Sequence, residues 1–307
     1  MELMQILSMI SILVFSLVGV AFITLLERKI LGYMQIRLGP NKVGTEGILQ
    51  PFSDAIKLYT KEMSWPMQSN FVAFFLSPCL SLTLSLVMTT LMPYMKPLIN
   101  MKLAMLMFLS VLGLGVYPIL ISGWASNSNY SLIGGMRALA QTISYEVSLV
   151  FILLSMLLMT SSLSFYSILM TQKMFFFFMT LIPFLLWMFS SVAELNRTPF
   201  DFAEGESELV SGFNTEYSSS SFAIIFMAEY LMILLFSMYT SVFFLKSSNN
   251  ISSMMKFMML MFFFIWIRAT LPRYRYDKLM NLSWKFILPT ATFNLFISIF
   301  LTVYSKY

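Results

Sequence analysis

The chain has 307 residues, of which 58% are hydrophobic and 11% charged, and its formal net charge is +5. Soluble proteins devote about a quarter of their residues to charge, so this composition excludes an ordinary soluble protein and indicates a protein of the bilayer. The chain has one Cys and no His. These counts exclude an internal disulfide, a Cys-held iron–sulfur cluster, ordinary haem ligation and most zinc sites.

Apolar stretches predict eight transmembrane helices, at about 3–26, 68–93, 101–122, 134–160, 175–193, 218–245, 253–271 and 286–305. About 20 apolar residues are needed to cross ~30 Å of hydrocarbon. The seventh stretch is the shortest between charges, because only 257–267 separate Lys256 from Arg268. Its ends would therefore have to snorkel to the membrane surface. We predict an all-α, polytopic transmembrane protein that forms a single domain over 1–307.

The segment EGILQPFSDAIKLYTKE, at about 46–62, predicts an amphipathic helix that lies in the membrane interface. Its apolar residues recur on one helical face and its charged residues on another: Ile48, Phe52, Ala55 and Tyr59, against Asp54, Lys57 and Lys61. Glu62 falls near the apolar face, which a simple anchor would avoid. Both a surface anchor and a functional helix remain open from these residues alone.

Positive charge is concentrated in alternate loops. With eight spans, four loops lie on the side opposite the termini, and these hold 13 of the 19 Lys and Arg residues. The positive-inside rule then places these odd-numbered loops on the cytoplasmic or matrix side.

Negative charge is concentrated in one of those loops, which contains RTPFDFAEGESE. Six of the 14 acidic residues lie between Glu194 and Glu216, with Arg197 as the only cation among them. The apolar residues interleaved with these acids favour a loop that packs against the protein, although a solvated acidic loop remains the alternative. Basic residues in the neighbouring loops should attract it.

Three carboxylates fall in or at the end of predicted spans. Glu229 lies at the centre of the sixth span, Glu146 follows Tyr145 in the fourth, and Glu194 closes the fifth. An ionised carboxylate in hydrocarbon costs several kcal/mol, so each must face a polar interior, pair or take up a proton. The residues alone permit either a proton path or carboxylates that only fix helix packing.

Four loops carry a resemblance to a known family. LLERKILGYMQIRLGPNKVG (25–44) with QPFSDAIKLYTKE (50–62) resembles the first matrix loop of the quinone-site membrane subunit of respiratory complex I. The other matrix loops are similar to GWASNSNYSLIGGMRALAQTISYEVSL (123–149), AELNRTPFDFAEGESELVSGFNTEY (193–217) and RATLPRYRYDKLMNLSWKFILP (268–289). The similarity runs in order along the whole chain, and four long motifs of this kind are highly specific.

The resemblance implies eight spans with one tilted interface helix, and a core subunit of proton-pumping NADH:ubiquinone oxidoreductase that is inactive as an isolated chain. It implies a ubiquinone access tunnel whose mouth and lining include Thr24, Arg28, Pro51, Phe52, Ala55, Tyr59 and Phe226. Charged residues would form a funnel in this tunnel: Arg37, Asp54, Arg273 and Arg275. It also implies an acidic proton path, for which the candidates are Glu62, Tyr145, Glu146, Glu194, Arg197, Asp201, Glu204, Glu206, Glu208 and Glu229.

The resemblance further implies that ubiquinone is a substrate and that no residue of this chain alone is catalytic or binds a metal. Flavin and iron–sulfur clusters would lie on partner subunits, including the peripheral subunits that hold the terminal cluster and the quinone head group. The other expected partners are small and antiporter-like membrane subunits and membrane lipid, with no nucleic acid. The location implied is the mitochondrial inner membrane, with the charged odd-numbered loops facing the matrix.

Other interpretations predict different behaviour. A stand-alone transporter would work in liposomes by itself, and a structural scaffold would tolerate loss of the loop acids. A membrane-anchored hydrogenase subunit shares parts of the motifs, but the compact sequence of mitochondrial style disfavours it.

Overall fold

The computed structural model describes residues 2–93, 101–172, 174–246 and 251–304, and excludes the side chains of 2–5, 174, 175, 206 and 207. Over these residues the protein is helical and has no strand. The prediction of an all-α polytopic protein is confirmed.

Fourteen α-helices are seen in the described ranges. They are α1 Glu2–Met34, α2 Gln50–Thr60, α3 Phe71–Thr90, α4 Ala104–Leu114, α5 Val116–Ala125, α6 Asn129–Thr160, α7 Phe165–Thr171, α8 Met174–Met179, α9 Leu181–Glu194, α10 Glu206–Leu209, α11 Ser219–Phe244, α12 Ile251–Thr270, α13 Tyr276–Leu282 and α14 Leu288–Tyr304. Short 3₁₀ helices occupy Thr45–Gly47 and Gly212–Asn214, and a π-helical turn at Ser283–Ile287 joins α13 to α14.

Seven stretches of the described chain are long and apolar enough to cross a bilayer: Ile6–Met34, Phe71–Thr90, Ala104–Ala125, Asn129–Thr160, Ser219–Phe244, Ile251–Thr270 and Tyr276–Tyr304. The remaining predicted stretch, 175–193, is divided between α8 and α9. The 14 residues of α9 span only about 21 Å at 1.5 Å per residue.

Several helices begin or end away from their predicted limits. α1 continues through Glu27 and Arg28, so these residues lie on a helix rather than in the first loop. α2 is shorter than predicted and ends before Glu62. The final helical stretch begins at Tyr276 rather than near 286 because α13 and the π turn precede α14. Charged residues in the first turns lower the local hydropathy, so the hydropathy pattern does not show where such a helix begins.

α6 and α11 organise the helix bundle. α6 contacts α5, α9 and α14, and α11 contacts α3, α12 and α1. Aromatic rings of α4, α7, α9 and α11 form a core with ring centroids 4.5–6.4 Å apart: Phe108, Phe165, Trp187, Tyr239 and Phe243. Such pairs each add about 0.5–1.5 kcal/mol to the burial of their area.

Side chains from the end of α7 and from α12 cap the C-terminal end of α11. Gln172 donates from Nε2 to the carbonyl oxygens of Val242 and Phe243, at 2.8 and 2.7 Å. Lys256 of α12 donates from Nζ to the Leu245 carbonyl at 2.7 Å. A cation is favourable at a helix C-terminus. This contact shows where the ammonium group of the short seventh stretch finds polar partners.

Two glycines allow the acidic loop to lie against α6. A Cβ at Gly134 would lie 3.0 Å from the Cα of Gly212. Gly212 has a φ of +56°, and a Cβ there would lie 1.8 Å from the Ala203 carbonyl oxygen. Only glycine fits such an approach, so these positions fix the depth at which the loop packs.

Candidate functional site

Charged residues from α1, α11, α12 and two loops meet at one end of the bundle. We call this group the charged cluster; it consists of Glu27, Arg197, Asp201, Glu204, Glu229, Arg268 and Arg273. The segments 27–62, 195–217 and 268–277 therefore share one face of the protein.

Arg197 lies at the centre of the charged cluster. Its Nη2 donates to Oε2 of Glu229 at 3.1 Å, and its guanidinium lies 4.6 Å from the ring centroid of Tyr230. The Arg197 side chain is 10% exposed and that of Glu229 is 23% exposed. Burial alone would lower the pKa of Arg197, but Glu229 and the neighbouring acids outweigh it and raise that pKa. Arg197 is thus permanently cationic.

A second ion pair connects α1 to α12. Nη1 of Arg268 donates to Oε1 of Glu27, whose side chain is buried. The side chain of Tyr230 lies close enough to Glu27 to interact with its carboxylate. Tyr230 therefore lies between this pair and Arg197, whose guanidinium is over its ring.

Asp201 and Glu204 are the acids contributed by the loop itself. Asp201 lies 3.7 Å from Arg273, and Glu204 accepts a hydrogen bond from Nδ2 of Asn214 at 3.1 Å. Burial raises the pKa of Asp201, although Arg273 opposes the shift. Burial and then the charge of Asp201 raise the pKa of Glu204, opposed by Arg197. Both loop acids hold protons more tightly than they would in water.

The backbone of the loop is fixed by partners outside it. Gln141 of α6 donates from Nε2 to the carbonyl oxygens of Ala193 and Phe200, at 2.9 Å each. The amide of Tyr274 donates to the Pro199 carbonyl at 3.0 Å. The loop therefore has a defined conformation that sets the positions of its acids.

A cavity of about 120 Å³ lies beneath the loop, between α3, α4, α5, α6 and α11. Three carboxylates line it, from Glu194, Glu204 and Glu229, together with Thr142, Asn196 and several serines. A buried water needs only about 10–15 Å³ of such volume, so several waters fit. Glu194 and Glu229 are half-buried, and both contribute to the lining of this cavity.

Tyr145 and Glu146 lie beside the cavity rather than in its lining. The Glu146 carboxylate faces α4, where a Cβ on Gly113 would lie 3.9 Å from both of its oxygens. Glu146 also lies within electrostatic range of Glu194. In the described chain, Oε1 of Glu146, Oε2 of Glu194 and the Tyr145 hydroxyl are buried without a hydrogen-bond partner.

The residues expected at a tunnel entrance occur where α1, α2 and α11 contact one another. Arg28 of α1 pairs with Asp54 of α2 at 2.5 Å, and Phe22 meets Phe52 edge to face at 6.0 Å. Pro51 is buried, Ala55, Thr24 and Phe226 are half-buried, and Phe52 and Tyr59 are exposed. α2 therefore leaves part of its apolar face uncovered, as a helix at a lipid interface does.

Other candidate residues lie apart from the charged cluster. Arg37 is exposed and donates to Gln35, and Arg275 pairs at 3.2 Å with Asp277, also exposed. Glu62 is exposed beyond the end of α2, because the helix ends at Thr60. Glu208 pairs with Arg137 of α6 at 2.6 Å. The Glu206 side chain lies outside the described residues.

The sequence candidates did not include several members of the site: Glu27, Asn214, Tyr230 and Arg268. Glu27 and Arg268 were visible as charges at span ends, but nothing in the sequence pairs residues 241 positions apart. Tyr230 follows Glu229 directly, and a polar ring beside an intramembrane acid was the available signal.

The NADH dehydrogenase family model matches residues 7–299. The chain belongs to this family. The chain is 55% identical over 282 residues to "NADH-ubiquinone oxidoreductase chain 1" of Aedes aegypti. This match covers 91% of this chain and 90% of the relative. It is 50% identical to the protein of that name from Balaenoptera physalus, covering 89% of each. The protein of that name from Paracentrotus lividus is 46% identical, over 94% of this chain and 93% of the relative.

Proposed function

We propose that the chain is a core membrane subunit of NADH–ubiquinone oxidoreductase, in which it forms the ubiquinone access tunnel and couples quinone reduction to a proton path. Membership in the NADH dehydrogenase family and the names of its relatives support the assignment to this enzyme. The carboxylate-lined cavity directly behind the charged cluster is the observation that carries the coupling role.

The contact between α1, α2 and α11 suits the entry of a quinone. Ubiquinone has a long apolar tail and a polar head group, so its path needs an apolar entrance that ends at polar groups. Exposed Phe52, Ile56 and Tyr59 supply apolar surface on α2. Arg28 and Asp54 pair at the same contact, and Glu27, next to Arg28, belongs to the charged cluster. The partner chains would hold the head group and supply electrons.

The cavity suits the transfer of protons. Buried polar atoms without protein partners normally bond to water, and such atoms occur on Glu194 and Glu146. Glu204 and Glu229 lie within electrostatic range of each other, as do Glu194 and Glu146. Ionised groups this close share their proton uptake as a coupled set. A proton gained at Glu204 therefore changes the proton affinity of Glu229, and one gained at Glu194 changes that of Glu146. The cavity that Glu194, Glu204 and Glu229 all line would connect the two pairs.

The coupling step follows from charge balance. Reduction of ubiquinone to ubiquinol consumes two electrons from a partner cluster and two protons. Local removal of protons leaves negative charge near the tunnel, and the loop acids respond by rebinding protons. The change passes through Glu229, Glu194 and Glu146 toward antiporter-like partners. In this proposal the chain lies in the mitochondrial inner membrane, and its charged loops face the matrix.

Photolabelling of the intact complex tests the tunnel. A ubiquinone analogue with a photoreactive tail should label peptides of α1, α2 and α11, and an excess of ubiquinone should suppress the labelling. The outward-facing surface of α12 is the internal control, with labelling that excess ubiquinone leaves unchanged. Labelling confined to other chains would contradict the tunnel assignment.

Proton translocation in proteoliposomes tests the path. The complex carrying Glu146→Gln should assemble and pump more slowly, because Gln cannot take up a proton. Glu229→Gln should also slow pumping, and its pumping is compared per assembled complex because this variant leaves Arg197 without its carboxylate partner. Undiminished pumping at normal turnover in both variants would refute the path. Ion transport by the isolated chain in liposomes would favour a stand-alone transporter instead.

A further inference from the structure

The exposed face of the last helical stretch, Tyr276–Tyr304, has lysines at one end and large apolar side chains along the rest. Its residues on this face are Lys278, Lys285, Phe286, Phe293, Phe296 and Phe300. The opposite face, with Leu279, Ser283 and Ile287, is buried against the bundle. The two cations therefore lie at one end of the stripe, and four large apolar rings continue from them.

The two lysines are free to bind an anion. Within the described residues neither forms an ion pair, since Arg275 takes the nearby Asp277 at 3.2 Å and Arg273 takes Asp201. Asn281, which lies between them, donates to the backbone of Asp277. Seven residues separate the ammonium-bearing positions, which corresponds to about 10 Å along a helix axis.

The row of phenyl rings that follows the lysines is long enough to contact an acyl chain along its whole length. Phe286, Phe293, Phe296 and Phe300 are 62–69% exposed. They extend about 22 Å from Lys285, at about 1.5 Å per residue, which exceeds the ~15 Å of one hydrocarbon leaflet. An acidic protein segment would match the lysines but not this apolar continuation.

We propose that this stripe is a binding site for an anionic phospholipid, whose phosphate contacts Lys278 and Lys285 and whose acyl chains lie along the four phenyl rings. A lysine near the membrane surface contributes about 1 kcal/mol to binding an anionic lipid, a fivefold change in affinity. Loss of both lysines should then weaken binding about thirtyfold.

The test uses the intact complex in phosphatidylcholine nanodiscs that contain a trace of photoreactive phosphatidylglycerol or photoreactive phosphatidylcholine. Mass spectrometry measures labelling of the peptide covering 276–300, and the quantity compared is the ratio of the two probes. The parent complex should prefer phosphatidylglycerol, and Lys278→Gln with Lys285→Gln should bring the ratio close to that of the uncharged exposed face of α1.

The charge-preserving variant Lys278→Arg with Lys285→Arg should keep the preference, which separates charge from disturbance of the helix. Exposed Lys42→Gln, in the first loop, should leave the ratio at its parent value. A ratio near one in the parent would overturn the proposal, as would an unchanged preference in the double Gln variant. Crosslinks from this peptide to an acidic segment of another subunit, with no lipid preference, would also overturn it.

Discussion

Arg197 donates a hydrogen bond to Glu229 at 3.1 Å while its guanidinium lies over the ring of Tyr230. The loop that carries the acids is therefore attached by a buried cation to the transmembrane helix α11. Because the two side chains are largely shielded from solvent, removal of one leaves an uncompensated charge in a medium that solvates it poorly.

Arg197→Gln should destabilise the loop by about 3–5 kcal/mol, the cost of breaking a buried pair from one side. The temperature at which the purified complex dissociates measures this loss. Arg275→Gln is the matched control: its pair with Asp277 is 77% and 69% exposed, and such pairs contribute about 0–1 kcal/mol. Equal effects of the two variants would show that Arg197 has no special role.

Gly212→Ala should prevent assembly of the complex, because the new methyl group would overlap the Ala203 carbonyl oxygen at 1.8 Å. Gly205→Ala separates this clash from backbone strain. Gly205 also has a positive φ, +37°, but a Cβ there meets nothing nearer than 3.5 Å. Gly205→Ala should therefore lower the stability of the loop by only about 1–2 kcal/mol. Assembly is measured by native gel electrophoresis, and normal assembly of Gly212→Ala would contradict the packing described.

Gly113→Ala should slow proton translocation several-fold without loss of assembly, since the methyl group would lie 3.9 Å from both Glu146 oxygens and exclude water from them. Initial rates of proton uptake in proteoliposomes measure the effect. Gly19→Ala, whose methyl group would meet only Leu234 Cδ1 at 3.4 Å, should pump at the parent rate. A normal rate in Gly113→Ala would show that Glu146 is hydrated from another side or not used.

The acidic loop should become more stable as the pH falls from neutrality. Burial raises the folded-state pKa of Asp201 and Glu204 above the values of the unfolded chain. The folded loop thus binds protons more tightly, and stability is lost as pH rises through the raised pKa values. The window extends from about pH 4, the unfolded pKa of these acids, up to the raised values.

Hydrogen exchange of amides in 198–217, corrected for the intrinsic rate at each pH, tests this direction. Protection should increase on acidification within the window, and Glu204→Gln should reduce the dependence. Protection that decreases on acidification would mean that the ion pairs with Arg197 and Arg273 outweigh burial.

The sequence predicted the helical class and the charged loops because hydropathy and charge are local properties. It could not predict where a helical stretch begins when its first turns are charged, as at Tyr276. Nor could it predict that α9 would be only 14 residues long. The pairing of Glu27 with Arg268 depends on how α1 packs near α12, which no local pattern encodes. The acidic loop could be located by composition, but its depth depends on Gly212 fitting under Ala203.

Glu194, Glu204 and Glu229 line one cavity large enough for water, and we expect them to change protonation when quinone is reduced. Infrared difference spectroscopy of the intact complex, before and after quinone reduction, observes carboxyl groups directly. We expect a carboxyl C=O band that shifts in heavy water and loses intensity in Glu194→Gln, Glu204→Gln and Glu229→Gln but not in exposed Glu46→Gln. A spectrum without such a band, or with a band that survives in all three variants, would contradict the claim.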